Sequence, residues 1–314
     1  MIKRKNLPAG KTGGYLALCT TSILWGTTWV ASKIAVSENL PAFQMASMRQ
    51  FLAGSCFIGF FMFYKKLTLP TARQFGFLLV LSFLMFVFAN GLSTWSLKYI
   101  PSGLSALIGA LYPFSVVIIE RLFFNNRHLT MLTLAGLLLG ITGIGIVFYE
   151  NAFGQHPVGF ILGVVLSVFA MLSWSAGTMF IARNKMHINP YYATGWQMLI
   201  SSAILFIISG LTQPIIPLQA VSLKVWLAIF YLVTFGSIIS FVAFIYSMKK
   251  LPPAISSLYA YINPLVAMVT AAIVLNEKLT LNILWGALVT LSGVFLVNYS
   301  IKRNIEKAIV EPEQ

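Results

Sequence analysis

The side chains best suited to chemistry sit where polarity is costly. Tyr259, Asn263 and Pro264 fall within the apolar run SSLYAYINPLVAMVT (256–270), and Arg49 lies inside another such run. Tyr259 and Asn263 are four residues apart and share one face of a helix. Proline removes a backbone hydrogen bond, at roughly 3 kcal/mol in a helix interior. Asparagine adds donors and acceptors that need partners. Upstream, SALIGALYPFSVVII (105–119) repeats the arrangement with Tyr112 and Pro113. A polar face beside freed carbonyls suits non-covalent recognition of a small molecule, with Pro113 and Pro264 as helix breaks that gate it. A packing kink with one satisfied amide is the blander role for the same residues.

Arg49 sharpens the point. A charge near the centre of a bilayer costs about 2.5–3.5 kcal/mol on insertion scales. Its available roles are structural, by snorkelling or bonding to backbone carbonyls, or functional, by holding an anionic group such as a substrate carboxylate. Asn90 lies mid-span beside Gly91, and Trp25, Trp29, Trp95, Trp174 and Trp196 are either aromatic walls or interfacial belt residues. Catalysis is poorly served. The chain has no aspartate, and His128, His156 and His187 fall in loops, so no base accompanies a serine at membrane depth. No HExxH zinc motif or phosphate-binding Gly-Lys-Ser/Thr loop occurs. No cofactor is expected. Glu120 is the one glutamate inside a span and the one candidate for proton coupling. Movement down a substrate gradient is therefore preferred to proton antiport.

What must position these groups follows from composition. The 314 residues are 58% hydrophobic and 9% charged, with a mean hydropathy of +0.86. A soluble domain carries about 25% charge, so this chain belongs in lipid. Its net charge of +14 suggests nucleic acid only in a soluble setting; here the basic residues punctuate apolar runs. Cys19 and Cys56 lie within such runs and read as small buried hydrophobes. The N-terminal apolar run, Gly14–Val36, is too long for a cleaved signal and is interrupted by Thr20, Thr21 and Ser22.

Stretches of about 20 apolar residues number ten: 14–36, 42–64, 75–97, 101–124, 130–149, 157–183, 190–211, 223–248, 252–275 and 279–300. With the N-terminus inside, sixteen of the 21 Lys and Arg fall on the cytoplasmic side and four (Lys33, Lys98, Lys224, Lys278) opposite. The bias puts both termini in the cytoplasm.

The chain also matches itself. WSLKYIPSGLSALIGALYPF (95–114) falls on YSMKKLPPAISSLYAYINPL (246–265), pairing Pro101 with Pro252 and Pro113 with Pro264. Gly136 meets Gly286, Gly143 meets Gly293, and Trp25 meets Trp174. Two five-helix halves follow, 14–149 and 157–300, between a basic N-terminus (1–13) and a cytoplasmic tail (301–314). An odd number of spans makes the halves inverted, which sets a substrate site near the midplane where they meet. Opposite Asn90 stands Phe241, and opposite Arg49 stand Gln197 and Met198. The pocket would be chemically lopsided.

WGTTWVASKIA (25–35), its echo WSAGTMFIAR (174–183), Arg49, the paired proline helices and NEKLTLNILWGALVTLSGVFLVN (276–298) together resemble the drug/metabolite transporter superfamily, in its EamA-type branch of ten-helix carriers. Asn126 stands where Glu277 supplies that family's turn glutamate. The resemblance implies an inner-membrane carrier of small metabolites, often amino acids, and commonly export. The expected substrate-binding residues are Trp25, Arg49, Asn90, Tyr112, Trp174, Gln197, Tyr259 and Asn263. The expected partners are a small-molecule substrate and membrane lipid, with no nucleic acid, and a monomer suffices. A non-transporting scaffold or receptor is the rival class, though it would not need mirrored breaks. Gly136, Gly140, Gly143, Gly286 and Gly293 read as close-packing positions.

Overall fold

A backbone in hydrocarbon must satisfy its own polar groups, and a helix does so locally. The computed structural model describes residues 9–124, 130–152, 158–183, 186–251, 255 and 258–310, and among these the regular structure is entirely helical. In chain order the helices are α1 (Ala9–Ser37), α2 (Ala42–Tyr64), α3 (Ala72–Ser96), α4 (Ser102–Gly109), α5 (Tyr112–Phe124) and α6 (Met131–Ala152). They continue as α7 (Phe160–Arg183), α8 (Pro190–Thr212), α9 (Leu223–Lys250), α10 (Tyr259–Leu275) and α11 (Leu281–Val310). Local signals set several starts. Thr71 and Gln74 cap α3 reciprocally, Asn189 accepts from Tyr191 and Tyr192 ahead of α8, and Ser222 accepts from Val225 to open α9.

Among the described residues, seven stretches are long and apolar enough to cross a membrane: α2, α3, α4 with α5, α7, α8, α9 and the first part of α11. The apolar parts of α6 (Met131–Val147) and α10 are shorter. α1 has the length, 29 residues, but Lys11, Lys33 and a cluster of Thr and Ser dilute it.

The surface is apolar and part of the interior is polar. Phe63, Ile161, Leu211 and Ile273 are exposed, whereas Gln44, Gln50, Ser96, Ser105, Ser201 and Thr290 are buried. That inside-out distribution fits a multi-pass membrane protein. Cys19 and Cys56, expected inside, lie exposed among the outward-facing residues.

Helices meet in a regular scheme. α2 packs on α8, α6 on α11, α1 on α9 and α10, α3 on α7, and α4 on α10. The α6–α11 contact depends on missing side chains. A Cβ on Gly143 would lie 2.4 Å from the Thr290 nitrogen, and one on Gly293 would lie 2.5 Å from the Gly136 carbonyl and the Gly140 nitrogen. In lipid no hydrophobic gain drives helices together, so close backbone approach supplies the attraction.

One end of the bundle is tied by polar contacts. Glu277 accepts from the Ser102 amide and hydroxyl, both at 2.9 Å, and from the Gly103 amide at 3.3 Å, capping α4 from the turn before α11. Lys33 donates to the Leu97 and Ile100 carbonyls in the turn just before α4. Burial in that turn pulls the Lys98 ammonium below its ordinary value. Lys224 pairs with Glu38 at 2.7 Å.

One of the two expected helix breaks changes. Pro113 does stand at a break: α4 ends at Gly109, Ala110 and Leu111 form a turn, and the proline is the second residue of α5, where a missing N–H costs nothing. Pro264 does not break its helix. α10 runs through it, and the irregular turn lies upstream at Leu258. The physical reason is that proline disturbs only the bond to the residue four before it, and neighbouring turns can carry the helix on.

Gly293→Val should loosen the α6–α11 contact, with a loss on the order of 1–3 kcal/mol as for other overpacked interfaces. A fall in the thermal midpoint of the purified protein would register it, while Gly145→Val, where a Cβ meets open space, should leave the midpoint nearly unchanged.

Candidate functional site

Most irregular backbone in the described core converges on one cavity. The middle of α3 (Ser82–Leu92) and of α9 (Leu232–Ile239) is π-helical, with wider turns than an α-helix. α4 breaks from α5 at Ala110–Leu111, and α10 carries Pro264. The cavity is about 190 Å³. α1 lines it with Trp25, Thr28, Trp29 and Ser32; α3 with Met85, Ala89, Asn90, Ser93 and Thr94. Tyr112, Trp174 and Phe241 contribute from α5, α7 and α9, and Tyr259, Ala260, Asn263 and Pro264 from α10. Pro113 cannot donate to the Gly109 carbonyl, nor Pro264 to that of Ala260, and both Gly109 and Ala260 line the cavity.

Arg49 reaches the wall from the eighth position of α2. Its Nε donates to Ser237 Oγ at 2.9 Å, and it is 7% exposed. No carboxylate among the described residues pairs with it. The same stretch of α9 holds Trp25, whose indole donates to the Gly236 carbonyl at 3.1 Å. Gly236 has no room for a side chain: a Cβ would lie 2.5 Å from Thr28 Cγ2 and 3.3 Å from Arg49 Nη2. The π-helical turn thus brings a small residue and a hydroxyl against the guanidinium.

Both cavity asparagines are oriented by partners that leave no choice of tautomer or flip. An indole N–H only donates, so Trp29 fixes Asn263 Oδ1 as the acceptor at 3.0 Å and turns Nδ2 elsewhere. Gln50 Nε2 donates to the Phe86 carbonyl at 3.3 Å, which fixes that amide, and also to Asn90 Oδ1 at 3.0 Å. Ser201 donates to the other end of Gln50. The Nδ2 groups of Asn90 and Asn263 have no partner among the described residues.

The aromatic wall is tightly interlocked. Trp25 lies 5.2 Å from Phe241, 5.0 Å from Phe244 and 5.3 Å from Tyr259 by ring centroids, in edge-on or tilted geometry. Tyr112 and Trp174 line the same wall as Tyr259, whose ring also meets Phe244 edge-on at 5.3 Å. Ser96, Ser105 and Ser167 close a hydroxyl triangle at 2.8–3.1 Å at one side of the cavity.

Of the residues expected from sequence, Trp25, Arg49, Asn90, Tyr112, Trp174, Tyr259, Asn263 and Pro264 line this one cavity. Gln197 does not. It is buried, but no residue of α8 reaches the wall. Gly54 of α2 comes so close to α8 that a Cβ would meet the Leu199 nitrogen at 2.8 Å, so α8 spends its inner face on α2. Trp95 and Trp196 also stay off the wall. Glu120 is on the α5 backbone, but its side chain lies outside the described residues. Asn126 is likewise outside them. Sequence reasoning passed over Gln50, Gly236 and Ser237, which orient the wall from behind. Among the described residues no cluster of His, Cys or Glu could hold a metal.

An all-helical, multi-pass membrane protein with a buried aromatic and donor-rich cavity is the class these features define. The chain belongs to the EamA-like transporter family, whose model matches residues 12–149 and again 161–299. Among its relatives, the uncharacterized inner membrane transporter YedA of Escherichia coli is 30% identical over 302 residues, covering 94% of each chain. The uncharacterized transporter YoaV of Bacillus subtilis is 23% identical, covering 92% of this chain and 97% of its own. A probable amino-acid metabolite efflux pump of Escherichia coli is 25% identical over 92% of this chain and 95% of its own. One crystal structure superposes with a TM-score of 0.63 at 16% identity, covering 91% of this chain and 97% of the other, a likeness of fold alone.

Asn263→Ala and Asn90→Ala should each cut flux severalfold while membrane abundance and thermal midpoint stay near wild type. Quantitative blotting beside a transport assay separates the outcomes, since an equal fall in abundance would make the asparagines structural.

Proposed function

We propose that the protein is a secondary transporter that exports small metabolites such as amino acids, by alternating access around the cavity just described. The carrying observation is where that cavity lies: its wall is shared among the first, third and fourth helical segments of both halves of the chain, with Arg49 added from the second segment of the first half. The halves are read as inverted five-helix repeats, 14–149 and 157–300, with ten spans in all and both termini in the cytoplasm. Supporting this, the family model matches each half separately. The packing scheme is also unchanged when the halves are exchanged: second segment meets second, fifth meets fifth, and first meets the other half's third and fourth. The π-helical stretches of α3 and α9 fall at matching sequence positions. A site between inverted repeats opens to either side by rocking one half against the other.

Amino acids are favoured as cargo by the efflux-pump relative and by a wall that combines a guanidinium, primary amides and aromatic faces. The driving force is read as the substrate's own gradient, because the lining residues include no carboxylate or histidine to carry a proton. A monomer holds both halves and is sufficient.

Counterflow of a labelled amino-acid panel into proteoliposomes, with and without a pH gradient, tests the reading. Exchange that ignores the gradient is expected. Flux that follows the gradient and disappears in Glu120→Gln would make the protein a proton-coupled exporter, and no flux for any cargo would favour a scaffold or receptor.

A further inference from the structure

We infer that the cavity selects a small organic carboxylate with an apolar or single-ring body, holds the carboxylate on Arg49, and rejects ligands whose only charge is positive. The inference rests on reading this cavity as the substrate site; it adds which end of the ligand is obligatory.

Charge comes first. Arg49 is the only charged residue on the wall among the described residues. A guanidinium cannot shed its proton to escape burial, and this one has a single neutral hydrogen-bond partner, Ser237. Its Nη atoms are not among the buried side-chain atoms left without a partner, so the cavity is where they find access. Two of its N–H groups can grip both oxygens of one carboxylate, the strongest hydrogen-bonded pairing open to it.

The remaining polar groups point to the same chemistry independently. Trp29 and Gln50 each bond the oxygen of a wall asparagine and so orient the amide, leaving Asn263 Nδ2 and Asn90 Nδ2 as donors without a partner among the described residues. The indoles of Trp25 and Trp29 are already committed. An unpaired cation beside two free amide donors matches an acceptor-rich anion. A lone ammonium would meet that cation with no carboxylate on the wall to offset it. An amine attached to a carboxylate is tolerated, since the Gly109 and Ala260 carbonyls and the aromatic faces can receive it, but it is not needed.

Size sets the body. A cavity of about 190 Å³ is modestly larger than the roughly 150 Å³ that accommodates benzene. Six aromatic rings line it. One ring or a branched aliphatic chain fits beside the carboxylate, and a fused tricyclic body does not.

Equilibrium binding to the purified full chain in lipid nanodiscs, read by tryptophan fluorescence and calorimetry, needs three matched probes: 3-phenylpropanoate, phenylalanine and 2-phenylethylamine. The two carboxylates should bind with affinities within about tenfold of each other, and the amine at least about tenfold more weakly, as loss of a charged hydrogen-bonded contact implies. Arg49→Gln should weaken 3-phenylpropanoate by a similar factor, with Arg49→Lys recovering part of it. Amine binding that equals carboxylate binding, or no carboxylate binding, overturns the inference on the native protein even if the variants fail to fold. The transport reading fails separately. Carboxylate binding without counterflow would leave the selectivity intact and remove the carrier, whereas counterflow of the amine alone would do the reverse.

Discussion

Hydrocarbon offers a peptide group nothing to bond with, and this constraint organises the molecule. Away from the cavity the described chain keeps mostly to long helices whose backbone is satisfied within itself, the π-helical end of α2 (Phe60–Tyr64) excepted. The departures are concentrated: the π-helical stretches of α3 and α9, the Ala110–Leu111 turn and Pro264 all contribute to one cavity or hold its side chains. Irregular backbone is tolerated there because its freed groups have polar neighbours or a hollow to face.

The same constraint explains why polar side chains appear in chains of fixed direction. Ser201 orients Gln50, Gln50 orients Asn90, and Trp29 orients Asn263. Each link satisfies an atom whose burial would otherwise cost about 1–3 kcal/mol. Satisfaction has a by-product. The bonds hold each asparagine by its oxygen and leave the Nδ2 donors of Asn90 and Asn263 without a partner among the described residues. Exchange of halves preserves the packing but not this chemistry, because Phe241 matches Asn90, and Gln197 and Met198, on a helix that misses the wall, match Arg49. The helix contacts repeat between the halves while the lining does not, so the cavity wall is chemically lopsided.

Much of this was legible in the sequence, for physical reasons. Runs of about 20 apolar residues announce spans, and a polar group inside one has few reasons to exist, which is why Arg49, Asn90 and Asn263 stood out. Three features were hidden. A π-helical turn has no residue signature, so the role of α9 in holding Arg49 through Ser237 and Trp25 through Gly236 was invisible. Gln50 was overlooked because one amide in an apolar run does not reveal which neighbour it serves. Gln197 was misjudged because sequence matching gives the position in a helix but not whether that helix reaches the wall. Pro264 was overread: a proline in a run indicates one missing hydrogen bond, not where the chain will turn.

One sequence departure acquires a physical cause. The turn glutamate, Glu277, has no equivalent in the first half, where Asn126 stands. In the structure its carboxylate accepts from the Ser102 amide and hydroxyl and the Gly103 amide, the unsatisfied N–H groups that open α4. The position that matches Ser102 in the second half is Pro253, which has neither a backbone N–H nor a hydroxyl to give. A carboxylate facing it would lose two of its three hydrogen bonds and retain most of its desolvation cost. Glu277 therefore has a full set of donors where serine and glycine open the segment, and a proline in place of that serine would leave it one. At this end of the bundle the fastening is a charged cap, which can be broken and remade.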